Sequence, residues 1–144
     1  MRLPVRWSIW TDDENGYKIN ENFMCEVEST VKRFLDCGLC VILNVHHFRE
    51  AMDEPRKHAE KLFAIWEQVA KRFADYPESL VFEVMNEPTW RTTDDEWNSV
   101  QAEAVEVIRK NNPTRKIEVC GIDYSGLVAL DRLQLPKSDN LIAT

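Results

Sequence analysis

Glycine is scarce in this chain, with four residues in 144. No Gly-rich loop follows any apolar run, which argues against the phosphate cradle of a nucleotide-binding sheet. Basic residues are few as well: 18 Lys and Arg stand against 25 Asp and Glu, for a net charge of −7. That balance disfavours nucleic acid and anionic membrane as partners. No stretch of 18 apolar residues occurs, so nothing reads as a bilayer span. Met1–Trp7 has no apolar h-region and is not a signal peptide. The four cysteines suggest no disulfide framework. Cys37-Gly38-Leu39-Cys40 has CxxC spacing, but a second such pair is missing and Cys40 sits in an apolar run. Buried structural thiols are therefore expected. Asp12-Asp13-Glu14 lacks the EF-hand spacing, and His46 and His47, neighbours on a strand, point to opposite faces. No metal or cofactor is expected.

What is present is a hydrophobic fraction of 44%, arranged in strand and helix patterns that alternate. Strands are predicted near 2–6, 39–46, 80–86, 116–122 and from 140. Helices are predicted over 22–37, from Pro55 to Tyr76-Pro77, from a Thr93-Asp94 cap to about 110, and near 126–133. Gly38 suits a left-handed helix stop. Trp66 and Trp97 fall on apolar helix stripes and belong to the core. Strands that alternate with covering helices imply a parallel α/β sheet, either open and doubly wound or part of a (β/α)8 barrel. The polar residues that close the apolar runs favour the barrel.

Those polar residues carry the chemistry. The run Leu80-Val81-Phe82-Glu83-Val84-Met85-Asn86-Glu87-Pro88 is apolar until it ends in an amide, a carboxylate and a proline that stops the ladder. Asn44, His46 and His47 close one strand; Asp123 and Tyr124 close another; Arg2 and Arg6 lie on the first. Carboxylate, amide, imidazole and guanidinium on one face suit chemistry on a sugar. Arg2 and Arg6 also fit a plain ion-pair role, and Trp7 and Trp10 fit either stacking on a sugar or packing under a loop. Glu83 reads as a buried acid paired with Arg2 or Arg6, since a buried charge needs a partner.

Arg2-Leu3-Pro4-Val5, Asn44-Val45-His46-His47 and Phe82-Glu83-Val84-Met85-Asn86-Glu87-Pro88, in this order, resemble glycoside hydrolase family 5, and within it the bacterial endoglucanase (cellulase) branch. The resemblance runs over essentially all of residues 1–144. It implies an α/β fold that is a partial (β/α)8 TIM barrel, about strands 2 to 6 of eight, and one partial catalytic domain. It implies a retaining endo-β-1,4-glucanase with β-glucan as substrate. Glu87 matches the general acid/base and Asn86 the residue that holds the sugar 2-hydroxyl. Arg2 matches an arginine near the nucleophile, and His46 and His47 match histidines of the active site. Trp90 is placed to stack on a sugar ring. A general acid must keep its proton near neutral pH, which burial or a neighbouring negative charge provides.

The resemblance also implies what these residues lack. The family's nucleophile lies on the seventh strand, outside the matched segment, as do a sixth-strand His-Tyr pair and an eighth-strand Trp. Glu83 is no substitute: four residues along one strand put it roughly 13 Å from Glu87, against the ~5–5.5 Å of a retaining pair. Asp123 is the better-placed acid, although the family does not use it so. About five strands cannot close a barrel, so exposed strand edges are expected to favour self-association. The alternative is therefore a non-catalytic half-barrel that only binds glucan or self-associates. For the parent protein the family implies secretion.

Overall fold

The computed structural model describes residues 1–89 and 91–144. Five strands form one parallel sheet in the order β1-β4-β5-β6-β7: β1 (Arg2–Val5), β4 (Val41–Val45), β5 (Leu80–Glu83), β6 (Ile117–Val119) and β7 (Leu141–Ala143). Between β1 and β4 lie a two-stranded hairpin, β2 (Thr11–Asp12) and β3 (Lys18–Ile19), and the helix α1 (Glu21–Asp36). Short α2 (Arg49–Asp53) and long α3 (Ala59–Arg72) connect β4 to β5, and α4 (Asp94–Arg109) connects β5 to β6. A turn at Ile122–Ser125 and a 3-10 helix, Leu127–Arg132, precede β7. Neighbouring strands in the sheet follow one another in sequence, as successive β–α–β crossovers require.

Local chemistry sets the boundaries. Asn20 caps α1 by accepting from the Phe23 N–H, and Thr93 caps α4 by accepting from the Glu96 N–H. Gly38, at φ +78°, ends α1 in the left-handed conformation expected of it. The strands are shorter than the apolar runs, because the polar residues at their carboxyl ends leave the ladder early. The helix expected from Pro55 begins only at Ala59. Pro55 lies in the break between α2 and α3, where Glu54 is driven to φ −133°, ψ 66°, as a residue before proline tends to be. The short α2 and the hairpin lack enough periodicity to be read from sequence.

Register makes the two faces of the sheet different. Val5, Leu43, Val45, Leu80, Phe82, Ile117 and Val119 are buried on the helix side, where α3 and α4 pack together. Asn44, Glu83 and Glu118 stand in one row on the opposite face, since Asn44 pairs with Glu83 and Glu83 with Glu118. Three fully buried indoles then fasten the carboxyl ends of the strands. Trp7 donates to the Asn44 carbonyl (3.0 Å), Trp66 to Val84 (2.9 Å) and Trp97 to Cys120 (2.7 Å). Trp7 is thereby assigned to packing. Trp10 remains 44% exposed, stacked on Phe23 with ring centroids 4.8 Å apart.

The cysteine expectation is overturned. Cys25, Cys37 and Cys40 are exposed and only Cys120 is buried. Cys37 is the cap residue at the carboxyl end of α1, and Cys40 precedes the first residue that β4 pairs with β5. Burial of Cys120 pushes its thiol up to about 12.

Candidate active site

At the carboxyl ends of β4, β5 and β6 lies a cleft of about 320 Å³ lined by His47, Arg49, Asp53, Asn86, Glu87 and Tyr124, among others. Its backbone departs from ordinary conformations. His47 (φ 51°), Glu87 (φ 45°), Asp123 (φ 58°), Tyr124 (φ 59°) and Ser125 (φ 57°) are all left-handed without being glycine. Such a residue costs about 1–2 kcal/mol each, and clusters of them are typical of functional sites. Contacts across the strand ends hold them in place. Asn86 N–H donates to the Val45 carbonyl (2.9 Å), and Tyr124 N–H to the Pro88 carbonyl (2.9 Å). Gly121 lets the 3-10 helix close over this end, because a Cβ there would meet the Ala129 Cβ at 2.5 Å.

The left-handed bends also correct two expectations drawn from strand alternation. Strand β4 stops at Val45, so His46 and His47 do not face opposite ways. Their rings meet edge to face with centroids 4.3 Å apart. Strand β5 likewise stops at Glu83, so Glu83 and Glu87 do not lie on the one continuous strand expected from the sequence.

Arg2 rises from the amino end of β1 to the level of Asn86. Its Nε donates to Glu83 Oε2 at 2.7 Å and its Nη2 to Glu83 Oε1 at 2.5 Å. The same Nη2 donates to Asn86 Oδ1 at 2.7 Å. Glu83 holds the guanidinium further above its ordinary pKa, first through these hydrogen bonds, against the opposing effect of burial. Arg2 is thus the partner of Glu83, and Arg6 is not. Among the described residues the Asn86 Nδ2 has no hydrogen-bond partner. Since no buried side-chain nitrogen or oxygen is left unpaired among the described residues, that amide opens into the cleft.

The His46 tautomer follows from its neighbour. Asn44 Oδ1 accepts from the Val5 N–H at 3.3 Å, which fixes the amide orientation. Asn44 Nδ2 then donates to His46 Nδ1 at 3.2 Å, so Nδ1 is the acceptor and Nε2 carries the proton. Burial, then the charges of His47 and Arg2, lowers the pKa of His46 and keeps the ring neutral. Asp123 is turned to another use: its Oδ2 accepts from Arg132 Nη2 at 2.7 Å, and Arg132 also binds Asp94. Asn44 and Tyr124 stand at the strand ends, as the sequence places them, whereas Glu118 is not among the residues that the sequence selects. The signal for Glu118 is the same two-residue alternation that selects Glu83. Trp90 lies outside the described residues.

Parallel strands, an outer layer of helices and polar groups gathered at the carboxyl ends define the class: a segment of a (β/α)8 barrel that bears its chemistry where such barrels do. The family model Cellulase (glycosyl hydrolase family 5) matches residues 1–144, and the chain belongs to that family. It is 34% identical over 144 residues to Endoglucanase H of Acetivibrio thermocellus, covering 100% of this chain and 16% of that protein. To Endoglucanase B of Ruminococcus albus it is 36% identical over 160 residues, covering 99% and 39%. The crystal structure of endoglucanase Cel5A from Thermotoga maritima superposes with a TM-score of 0.94 at 38% identity, over 99% of this chain and 46% of that one. The chain therefore spans less than half the length of these relatives.

Proposed function

We propose that residues 1–144 form part of the catalytic domain of a retaining endo-β-1,4-glucanase, with Glu87 as general acid/base. The observation that carries this reading is the group around Glu87: a buried Asn86 amide that lines the cleft, a neutral His46 and the adjacent His47, on strand ends fixed by left-handed turns. In the first step Glu87 gives its proton to the glycosidic oxygen as a second carboxylate attacks the anomeric carbon. In the second step Glu87 takes a proton from the water that cleaves the glycosyl-enzyme. The family resemblance assigns the second carboxylate to the seventh strand of a complete barrel. Asn86 donates to the 2-hydroxyl of the sugar at the scissile bond, and His46 and His47 supply further polar contacts. Arg2 lies close enough to Asn86 to influence this subsite. Trp90, two residues past the motif, is assigned to stacking on a sugar. Thermotoga maritima Cel5A has been solved with cellobiose and with mannotriose, which supports a β-1,4-linked glucan or related mannan as the substrate class.

Glu87→Gln, made in the protein that carries this segment, tests the role. With cellotetraose, whose leaving group needs protonation, turnover falls by about 10²–10⁴-fold. With an aryl cellobioside of low leaving-group pKa, formation of the glycosyl-enzyme is nearly unaffected. Equal cellotetraose turnover in wild type and variant overturns the assignment. Binding of cellotetraose with no turnover in either protein would favour the non-catalytic half-barrel.

A further inference from the structure

We propose that Glu83 is a positioning residue that acts through Arg2 to fix the orientation of the Asn86 side-chain amide. The inference rests on the glycosidase reading, because its consequence is which atom Asn86 shows to a sugar. A carboxamide flipped by half a turn keeps its shape but exchanges donor and acceptor, so shape alone cannot hold it. A guanidinium has donors only, and so it accepts the amide in one orientation, with Oδ1 inward and Nδ2 toward the cleft. The Arg2 side chain reaches from β1 past β4 to Glu83 on β5, and its polar contacts are what orient it there. A long side chain in that setting has considerable rotamer freedom.

Glu83 removes that freedom. Its side chain is 9% exposed, and it is the last ladder residue of β5, in register with Asn44 and Glu118. Both of its oxygens receive the Arg2 fork. Stability alone is a poor account of the arrangement. Glu83 faces a second carboxylate, Glu118, across the next strand, and a buried ion pair is commonly no more stabilising than the apolar side chains that could replace it. The functional element is the third contact, from Arg2 Nη2 to Asn86 Oδ1. The chain of orientation runs from a rigid strand residue, through a flexible cation, to a ligand-facing amide.

The test follows the Asn86 side-chain amide by ¹⁵N–¹H NMR, with its signals identified by their loss in Asn86→Ala. In the wild-type chain the pair is sharp and shifts on addition of cellotetraose. In Glu83→Gln, which offers Arg2 one acceptor oxygen in place of two, the pair moves or broadens in the free protein. The dissociation constant for cellotetraose then rises about tenfold, the loss of one charge-assisted hydrogen bond. Arg2→Lys keeps a cation beside Glu83 but cannot span both partners, and it gives the same two changes; it also decides the matter if Glu83→Gln does not fold. Unchanged Asn86 signals and affinity in both variants overturn the proposal, even if thermal stability falls. If the wild type binds no cellotetraose, the glucan reading fails, while the Asn86 signals of the free protein still decide whether Glu83 orients the amide.

Discussion

Two arginines with several polar partners each do opposite things in this fold. Arg115, just before β6, is 6% exposed. Its guanidinium ends on the backbone carbonyls of Phe73, Tyr76, Pro77 and Leu80 and on the Asn112 side chain, at 2.6–3.1 Å. Every one of these acceptors lies where a helix or loop delivers the chain into the amino end of a strand. Burial lowers the Arg115 pKa, against the opposing charge of Glu78, and among the described residues no carboxylate forms an ion pair with it. Arg2 instead spends its donors on a carboxylate and on an amide that faces the cleft. A buried cation is therefore no sign of function in itself. Its partners decide: main-chain carbonyls make Arg115 a clasp for loops, and polar side chains make Arg2 part of a site.

The helix side of the sheet gives the largest expected effect, because three indoles reach from the core to the strand ends that bear the cleft. Trp66→Ala empties a fully buried site between α3 and β5 and strips the Val84 carbonyl of its donor. We expect a loss of about 3–5 kcal/mol in chemical denaturation. A loss under about 1 kcal/mol would mean that core and site are not coupled as described.

Arg115→Ala comes next. It leaves four carbonyls without a side-chain donor at a closed end of the fold, for an expected loss of about 2–4 kcal/mol. The comparison with Arg2 sharpens here. Where the Arg115 variant still folds, the Asn86 amide signals and cellotetraose affinity stay at wild-type values, whereas Arg2→Lys moves both. A shift of the Asn86 signals in the Arg115 variant would break the division between the two arginines.

Much of this was legible in the sequence, and for a definite reason. A parallel sheet imposes alternation, so apolar runs that end in Asn, His, Glu or Asp mark both the strands and the end that carries chemistry. The five strands, the Thr93 cap and the core indoles Trp66 and Trp97 follow from that rule. It fails where the strand stops. At His47 and Glu87 the backbone turns left-handed, and the chain beside them is held by contacts remote in sequence, such as Asn86 to Val45 and Tyr124 to Pro88. Nothing local in Asp123-Tyr124-Ser125 announces three successive left-handed residues. Nor could spacing reveal that Asp123 is claimed by Arg132, or that Cys37 and Cys40 face solvent.

The smallest effect tests the polar face itself. Glu118 stands beside Glu83 in the inward row, and its carboxylate accepts no hydrogen bond among the described residues. Burial first, and then the charge of Glu83, raises its pKa, with Arg2 opposing. The folded chain therefore holds this proton more tightly than the unfolded chain does. The resulting stabilisation is complete below the ordinary carboxylate value and is lost as pH rises through the raised one. Glu118→Gln removes the dependence, because an amide has no proton to lose. Melting temperatures of the two proteins should lie close together at acidic pH. As pH rises toward neutral the variant should gain on the wild type, by no more than about 1 kcal/mol for a partly exposed group. A gap that widens in the opposite direction would mean that the folded state prefers Glu118 ionised. The Arg2 guanidinium would then serve both acids of the row, and the Asn86 amide would be held by a cation shared between Glu83 and Glu118.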